Sequence, residues 1–355
     1  MRALTTLPGR GNTLRLETLP DPEPGPGELL VEGLAVGVCG TDRSIAAGEH
    51  GSAPPGRERL IIGHESLGRV RRAPASSGFA AGDLVVGLVR RPDPVPCGAC
   101  AHGSPDMCRN GRYTECGIKE RDGYAATLWT VDPAYTVRLP PGLERTGALL
   151  EPASVVAKAW DQVGQVGARS WFAPASVLVT GAGPIGLLAA LLGRHRGLEV
   201  HVLDRTEHGP KPRLVRELGA EYHTDEVEPV LRRLRPDVVI EATGAAPVAL
   251  GAMGNLGAYG VLCLTGLSSA GRTVPIDAGA LNRELVLDNA AVIGSVNAHR
   301  DHYAAAAAAL AGADADWLER VLDHRLPVDR FREAFGPRRR GGVKTVLELT
   351  ADGSG

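Results

Sequence analysis

Ten residues, Val177-Leu178-Val179-Thr180-Gly181-Ala182-Gly183-Pro184-Ile185-Gly186, constrain the fold of this chain more than any other segment. An apolar, β-branched run leads straight into G-x-G-x-x-G, and the apolar stretch Leu187 to Arg194 follows, which reads as strand, turn and helix. The first glycine permits the tight turn, the second lets a pyrophosphate approach the backbone, and the third lets the helix pack closely on the strand. A second strand, Leu198 to Leu203, ends in Asp204, eighteen residues past Gly186, where a carboxylate accepts the ribose hydroxyls of a dinucleotide. A glycine triplet alone is a weak signal with a bland reading as a ligand-free turn, but the full strand–turn–helix–strand context favours a nucleotide. The cofactor contacts expected on this reading are Gly181, Gly183, Pro184, Ile185, Gly186, Asp204, Arg205 and Thr243. The charge of Asp204 repels a 2′-phosphate and favours NAD, whereas Arg205 beside it can pair with that phosphate. NAD is expected, and NADP stays open.

The βαβ grammar starts only at Ser176. Up to about residue 145, short β-rich runs such as Glu28 to Val36 alternate with Gly, Pro and Asp turns, as in a barrel-like all-β region, and Ser154 to Val166 reads as helix. Later strands are expected at Pro236 to Ala242, Gly260 to Thr265 and Ala291 to Val296, with a last one at Val343 to Leu349. Tyr303 to Ala311, with six consecutive alanines, reads as a spacer helix of high propensity, and Ala351 to Gly355 as a frayed tail. A length of 355 residues fits two domains, so the fold class is α/β, a β-rich part plus a doubly wound parallel sheet. A net charge of −2 and 4% aromatic residues give no case for binding nucleic acid or an anionic membrane. The first residues lack the apolar core of a signal peptide, and Val177 to Leu192 is too interrupted by Gly and Pro to span a membrane. A cytoplasmic protein is expected.

Three further segments carry ligand chemistry: Gly37-Val38-Cys39-Gly40-Thr41-Asp42, Gly63-His64-Glu65 and Leu150-Glu151-Pro152. A catalytic zinc takes three protein ligands and keeps a position for water or substrate. Cys39, His64 and Glu151 offer a thiolate, an imidazole and a carboxylate, with Glu65 as a fourth ligand that substrate can displace. Singly, each has a bland reading, since a buried cysteine is usually a small hydrophobe. In the order C-G-T-D, G-H-E, L-E-P and G-A-G-P-I-G, the chain resembles the zinc-containing medium-chain alcohol dehydrogenases over nearly its full length. Within them, Val292-Ile293-Gly294-Ser295-Val296-Asn297-Ala298 is similar to the glucose 1-dehydrogenase branch. So is Glu115-Cys116-Gly117-Ile118 followed by Asp122-Gly123-Tyr124, except that the branch tends to carry alanine where Cys116 stands.

The resemblance implies a GroES-like catalytic domain built from residues 1–170 and 300–355, a Rossmann domain at 171–299 inserted between them, and an active site in the cleft. Glutamate at the Glu151 position is shared with sorbitol-type polyol dehydrogenases and some glucose dehydrogenases. Thr41 matches the family's proton-relay hydroxyl, against an equally weighted reading as a turn residue bonding its own backbone. Glu115 and Asn297 match substrate-contacting positions, beside Thr41 and Glu151, and Glu65 joins Thr41 as a catalytic group. The implied chemistry is Lewis-acid activation of a substrate hydroxyl, comparable to the drop of bound water from a pKa of ~16 to ~7, with hydride passing to the nicotinamide.

The implied substrate is a sugar, foremost an aldose such as glucose oxidised to its lactone. A polyol, aminocyclitol or other secondary alcohol is the alternative. A zinc-free quinone or enoyl reductase and a non-catalytic nucleotide-binding protein are disfavoured by the intact Cys39, His64, Glu151 and Thr41. A homo-oligomer, dimer or tetramer, is expected. The family's usual cysteine lobe reads C-x2-C-x2-C-x7-C, and here Gly103 and Gly111 replace its third and fourth cysteines. Cys97, Cys100 and Cys108 leave a C-x2-C-x7-C variant that can hold a structural zinc, with Cys116, Asp106 and His102 as candidates for the fourth ligand. Cys263, inside an expected strand, reads as core.

Overall fold

Val177, Leu178 and Val179 are wholly buried near the middle of a six-stranded parallel sheet. In chain order its strands are Ser176–Thr180, Glu199–Leu203, Glu221–His223, Val238–Glu241, Val261–Leu264 and Ala291–Gly294. In space they run third, second, first, fourth, fifth, sixth, the order of a doubly wound dinucleotide-binding sheet. Helices Pro184–His195, Pro210–Glu217, Val227–Leu234, Ala246–Met253 and Ala278–Leu287 fall between the strands. The central strands are apolar almost without interruption, as a parallel sheet covered on both faces requires, and Cys263 is core within one of them. The edge strand Glu221–His223 escapes a reading of sequence because Glu-Tyr-His carries no apolar run. The computed structural model describes residues 1–268, 271, 273–337, 339 and 341–350, so the expected tail Ala351 to Gly355 lies outside the described residues.

The β-rich part is organised around the ten-residue strand Leu29–Val38. It pairs antiparallel with Glu65–Arg72, Leu128–Val131 and Thr345–Glu348, inside a seven-stranded sheet. The register sets Gly37 opposite Glu65 and Val38 opposite Thr345. Cys39, Glu65 and Lys344 are thereby delivered to one end of three neighbouring strands. A contact-based division gives two compact units. One holds Met1–Ser154 and, apart from Gly341–Val343, the described residues from Asn297 onward; the other holds Val155–Val296 with Gly341–Val343. The boundary falls inside helix Leu150–Gly167, which starts before the expected Ser154. Among the described residues no helix is long and apolar enough to cross a membrane.

The alanine run corrects an expectation. Helix Arg300–Ala311 is not a spacer, because Tyr303, Ala306, Ala307 and Leu310 are buried at i, i+3, i+4 and i+7. Its alanines therefore line a packed face, with Ala306 and Ala307 almost wholly buried. Replacing Leu310, 1% exposed, by alanine should therefore cost about 2–5 kcal/mol of unfolding free energy, whereas Ala305→Ser on the exposed side should stay within about 0.5 kcal/mol. Equal denaturation midpoints for the two variants would restore the spacer reading.

Candidate active site

Cys39 ends the long strand and caps helix Gly40–Ala47. Its N–H donates to Asp42 Oδ2 at 2.9 Å, while Asp42 Oδ1 faces His64 Nδ1 at 3.4 Å. One buried carboxylate thus fixes the turn at Cys39 and aims the imidazole, the outer partner that a metal-binding histidine usually has. The other ring nitrogen, Nε2, points at Cys39 Sγ 3.2 Å away. Gly63 introduces this histidine with φ +87°, and a Cβ there would meet Val36 Cγ2 at 2.8 Å, so the approach requires glycine.

The ligand atoms of Cys39, His64 and Glu65 lie within 4.8 Å of one another. Thiolate, imidazole and carboxylate in this spacing suit zinc. Glu151 stands outside that group, buried in the first turn of its helix and close enough to feel the charges of His64 and Glu65. Of the four residues expected from sequence, the structure therefore groups Glu65 with Cys39 and His64 and leaves Glu151 beside them. Sequence gave no sign of Lys344, whose Nζ donates to Glu65 Oε1 at 2.5 Å with both side chains 3% exposed. Glu65 in turn lies across Gly37, where a Cβ would strike its carboxylate at 1.9 Å.

The electrostatics of the cluster follow from burial and from the charges facing one another. Burial pushes the Cys39 thiol up, and Asp42 adds to this. Burial opposes charge on His64, but facing Cys39 and Asp42 drives it well above the usual imidazole range. Sγ and Nε2 therefore hold a proton between them, where a cation can replace it. Burial also raises Glu151 to about 7, with His64 pulling down and Glu65 pushing up. Thr41 sits half-buried on the first helical turn, two residues from Cys39.

Glu115 and Asn297 meet within the same unit. Glu115 lies on the short strand Thr114–Cys116 with its Oε1 accepting from Arg90 Nε at 3.1 Å, Arg90 Nη2 at 2.8 Å and Asn297 Nδ2 at 2.8 Å. Asn297 reaches it from a left-handed backbone, φ +62°, which asparagine tolerates better than other side-chain-bearing residues. Neither is the solvated loop charge or plain turn residue that each would otherwise be, for both are buried.

In the parallel sheet the glycines divide their work. Gly181 has φ +93°, and a Cβ on Gly186 would overlap Gly181 O at 1.7 Å, whereas a Cβ on Gly183 meets no protein atom within 4 Å. Gly183 thus leaves the open space that a pyrophosphate needs at the start of helix Pro184–His195. Asp204 Oδ2 accepts from Ala182 N–H at 2.7 Å and Lys211 Nζ at 3.1 Å, and Oδ1 from Thr206 N–H at 2.9 Å. Burial raises its carboxyl, but the Ala182 N–H and Lys211 outweigh that and hold it low. Arg205 is exposed, and Thr243 Cγ2 lies 3.1 Å from where a Gly181 Cβ would be. Pro184 and Ile185 open the helix.

In the cysteine lobe the sulfurs of Cys97, Cys100 and Cys108 lie within 4.8 Å of one another. Hydrogen bonds from the Arg109 and Cys100 N–H groups push Cys97 down to about 6. None of the three candidates for a fourth ligand joins them among the described residues. Cys116 is buried in a core with Tyr124 and Trp129, His102 Nδ1 bonds Gly98 O at 2.7 Å, and Asp106 groups with His299 and His302. The assignment of Cys116 to the lobe is corrected: a strand residue pointing into the core is out of reach.

Two predictions follow from these geometries. Gly183→Ala should keep the melting temperature and weaken NAD(P) binding at least tenfold, while Gly186→Ala should lower the melting temperature itself; the reverse pattern would mean the turn does not cradle a phosphate. Zinc binding requires deprotonated ligands. In Cys100→Ser protein, where the lobe is disabled, uptake at pH 6.5 should release more than one proton, and affinity should fall as pH drops through about 7, where Glu151 takes up its proton. Calorimetry in buffers of different ionisation heat reads this, and metal uptake without proton release would refute the picture.

Residues 25–141 match the family described as alcohol dehydrogenase GroES-like domain, and residues 144–349 the one described as glucose dehydrogenase C-terminus. The chain is 39% identical to a glucose 1-dehydrogenase of Methanocella arvoryzae over 99% of its own length and 100% of that protein's. It is likewise 39% identical to one of Thermoproteus tenax, over 94% and 96%. Among solved structures, Haloferax mediterranei glucose dehydrogenase in complex with NADP, Zn and gluconolactone superposes with a TM-score of 0.90 at 34% identity, covering 99% of this chain and 100% of that one. With both halves matched, the chain belongs to the glucose dehydrogenase branch of the zinc-containing medium-chain alcohol dehydrogenases.

Proposed function

We propose that this protein oxidises an aldose such as glucose at its anomeric hydroxyl to the lactone, passing the hydride to NAD(P). The observation that carries the reading is the buried Glu115–Asn297 pair in the same compact unit as Cys39, His64 and Glu65. Three donors converge on Glu115 Oε1, which leaves Oε2 to accept a sugar hydroxyl. Asn297 Oδ1 already accepts from Ala298 N–H, so the amide offers its second N–H.

Cys39, His64 and the carboxylates of Glu65 and Glu151 would hold a catalytic zinc, which when bound supplies the Lewis acidity that makes a hydroxyl acidic. The glycine turn and Asp204 would hold a nicotinamide dinucleotide, which when bound supplies the hydride acceptor. Asp42 keeps His64 in the tautomer that presents Nε2, and Lys344 keeps Glu65 from being an uncompensated charge. Thr41, half-buried two residues from Cys39, would take the proton and pass it towards solvent. Cys97, Cys100 and Cys108 would hold a structural zinc. Asp204 favours NAD, with Arg205 and Lys211 the cations that would receive a 2′-phosphate. Six free thiols suit the cytoplasm. A homo-oligomer finds support in helix Ala278–Leu287, which buries no residue although it ends in Val286 and Leu287.

The test is a panel of aldoses, polyols and a simple secondary alcohol run with both cofactors on wild type and Asn297→Ala. Losing a buried hydrogen bond to substrate should lower kcat/KM for the preferred aldose by about 10–100-fold while sparing the simple alcohol. Equal losses on both, or activity on a cyclitol or open-chain polyol and on no aldose, would transfer the assignment to a polyol dehydrogenase.

A further inference from the structure

Away from the groups described above, the parallel sheet repeats one short pattern on two adjacent strands: Glu199-Val200-His201 and Glu221-Tyr222-His223. Side chains alternate along a strand, so each Glu-x-His pair shares a face. The parallel register sets His201 opposite Glu221, with His223 two residues further on. The result is a compact group at the edge of the sheet. His201 Nδ1 lies 3.1 Å from His223 Nε2 and 3.4 Å from Glu221 Oε2, and His223 Nε2 lies 3.7 Å from Glu221 Oε1.

We propose that His201, His223 and Glu221 form a site for a divalent transition-metal ion, separate from the catalytic cluster and the cysteine lobe. Bonds of ~2.05 Å in a tetrahedral arrangement separate neighbouring nitrogen and oxygen ligands by roughly 3.3 Å. The two nitrogens stand at 3.1 Å, and Glu221 turns one oxygen to each of them, Oε2 to His201 and Oε1 to His223, so a small turn of the exposed carboxylate completes the triangle. The remaining nitrogen of His201, Nε2, lies 3.4 Å from Glu199 Oε1. A carboxylate there holds the proton on Nε2 and turns the Nδ1 lone pair inward, as the outer partners of metal-bound histidines do. Both imidazoles are buried, and the Glu221 side chain is 63% exposed, giving an ion a route from solvent. Two imidazoles and a carboxylate select copper, zinc or nickel over magnesium and calcium.

One neighbour opposes the ion and sharpens the test. The exposed Arg233 places Nη2 3.2 Å from His223 Nδ1. Without metal, a chain of donors closes: Arg233 to His223 Nδ1, His223 Nε2–H to His201 Nδ1, His201 Nε2–H to Glu199. A metal on His223 Nε2 puts the proton on Nδ1, and Arg233 must swing out.

The experiment adds Cu2+ to the full-length, zinc-loaded enzyme and reads electron paramagnetic resonance, with Zn2+ calorimetry beside it. Wild type should take up one further equivalent, with hyperfine splitting from two nitrogens and no thiolate signature. Glu221→Gln, at an exposed position that does not threaten folding, should weaken Zn2+ at least fivefold, and His223→Gln should abolish the two-nitrogen signal. Arg233→Gln should tighten binding at least threefold. No further equivalent, a sulfur-ligated copper, or affinities unchanged in Glu221→Gln and Arg233→Gln would each overturn the proposal. These readouts do not depend on which sugar the enzyme oxidises.

Discussion

A lysine and a glutamate separated by 279 positions in sequence are both almost wholly buried, and the catalytic half of the molecule depends on their pairing. Removing either partner of such a pair leaves an uncompensated charge at low dielectric, which is far costlier than the pair itself is stabilising. The strand Thr345–Glu348 must therefore return to Leu29–Val38, carrying Lys344 to Glu65. Around them the buried Asp42 and Glu151 and the half-buried Cys39 add three more acidic groups, against His64 and Lys344 as bases. The protein relieves the excess by keeping protons, with Cys39 and Glu151 both raised. A dication relieves it better. The metal requirement is thus built into the charge balance of the site as well as into its ligand types.

The nucleotide half shows a similar double use of one carboxylate. Asp204 is the expected ribose acceptor, yet its bond to Ala182 N–H ties the end of the second strand to the middle of the glycine turn. The glycine turn and the carboxylate expected to read the ribose are therefore positioned by each other. Lys211 completes the arrangement from the next helix, with its Nζ 3.1 Å from Asp204 Oδ2. The carboxylate that the proposed reading assigns to the ribose thus carries a compensating cation, Lys211, beside it.

What was legible in the sequence was whatever is encoded locally. Val177 to Gly186 announces its strand, turn and helix because glycine spacing and apolar run are contiguous, and Cys39, His64 and Glu151 are read from short ordered motifs. Partners fixed by strand register are invisible in that way. Nothing near Lys344 points to Glu65, and nothing near Arg90 points to Glu115, because antiparallel pairing decides both. The relative places of Glu65 and Glu151 depend on side-chain direction, one from a strand start and one from a helix turn. Cys116 was drawn into the lobe by residue type alone, while its strand turns it into a core. The alanine helix misled because propensity says nothing about what its small face meets.

The substrate side follows from the same logic of fixed partners. Arg90 and Asn297 both bond a single oxygen of Glu115, so the carboxylate cannot rotate, and its second oxygen keeps one direction. An oxygen held in this way accepts only a hydroxyl presented at the matching angle. A sugar ring offers several hydroxyls in a rigid array, each able to donate and accept, and can satisfy a fixed acceptor and a fixed amide donor at once. On the proposed role of Glu115 and Asn297, a simple alcohol would engage neither, and an open-chain polyol would have to freeze several torsions to engage both, at a cost of roughly 0.5–1.5 kcal/mol for each flexible unit immobilised. Rigidity in the Arg90–Glu115–Asn297 group therefore argues for a cyclic, polyhydroxylated substrate, independently of the metal that would act on its reacting carbon.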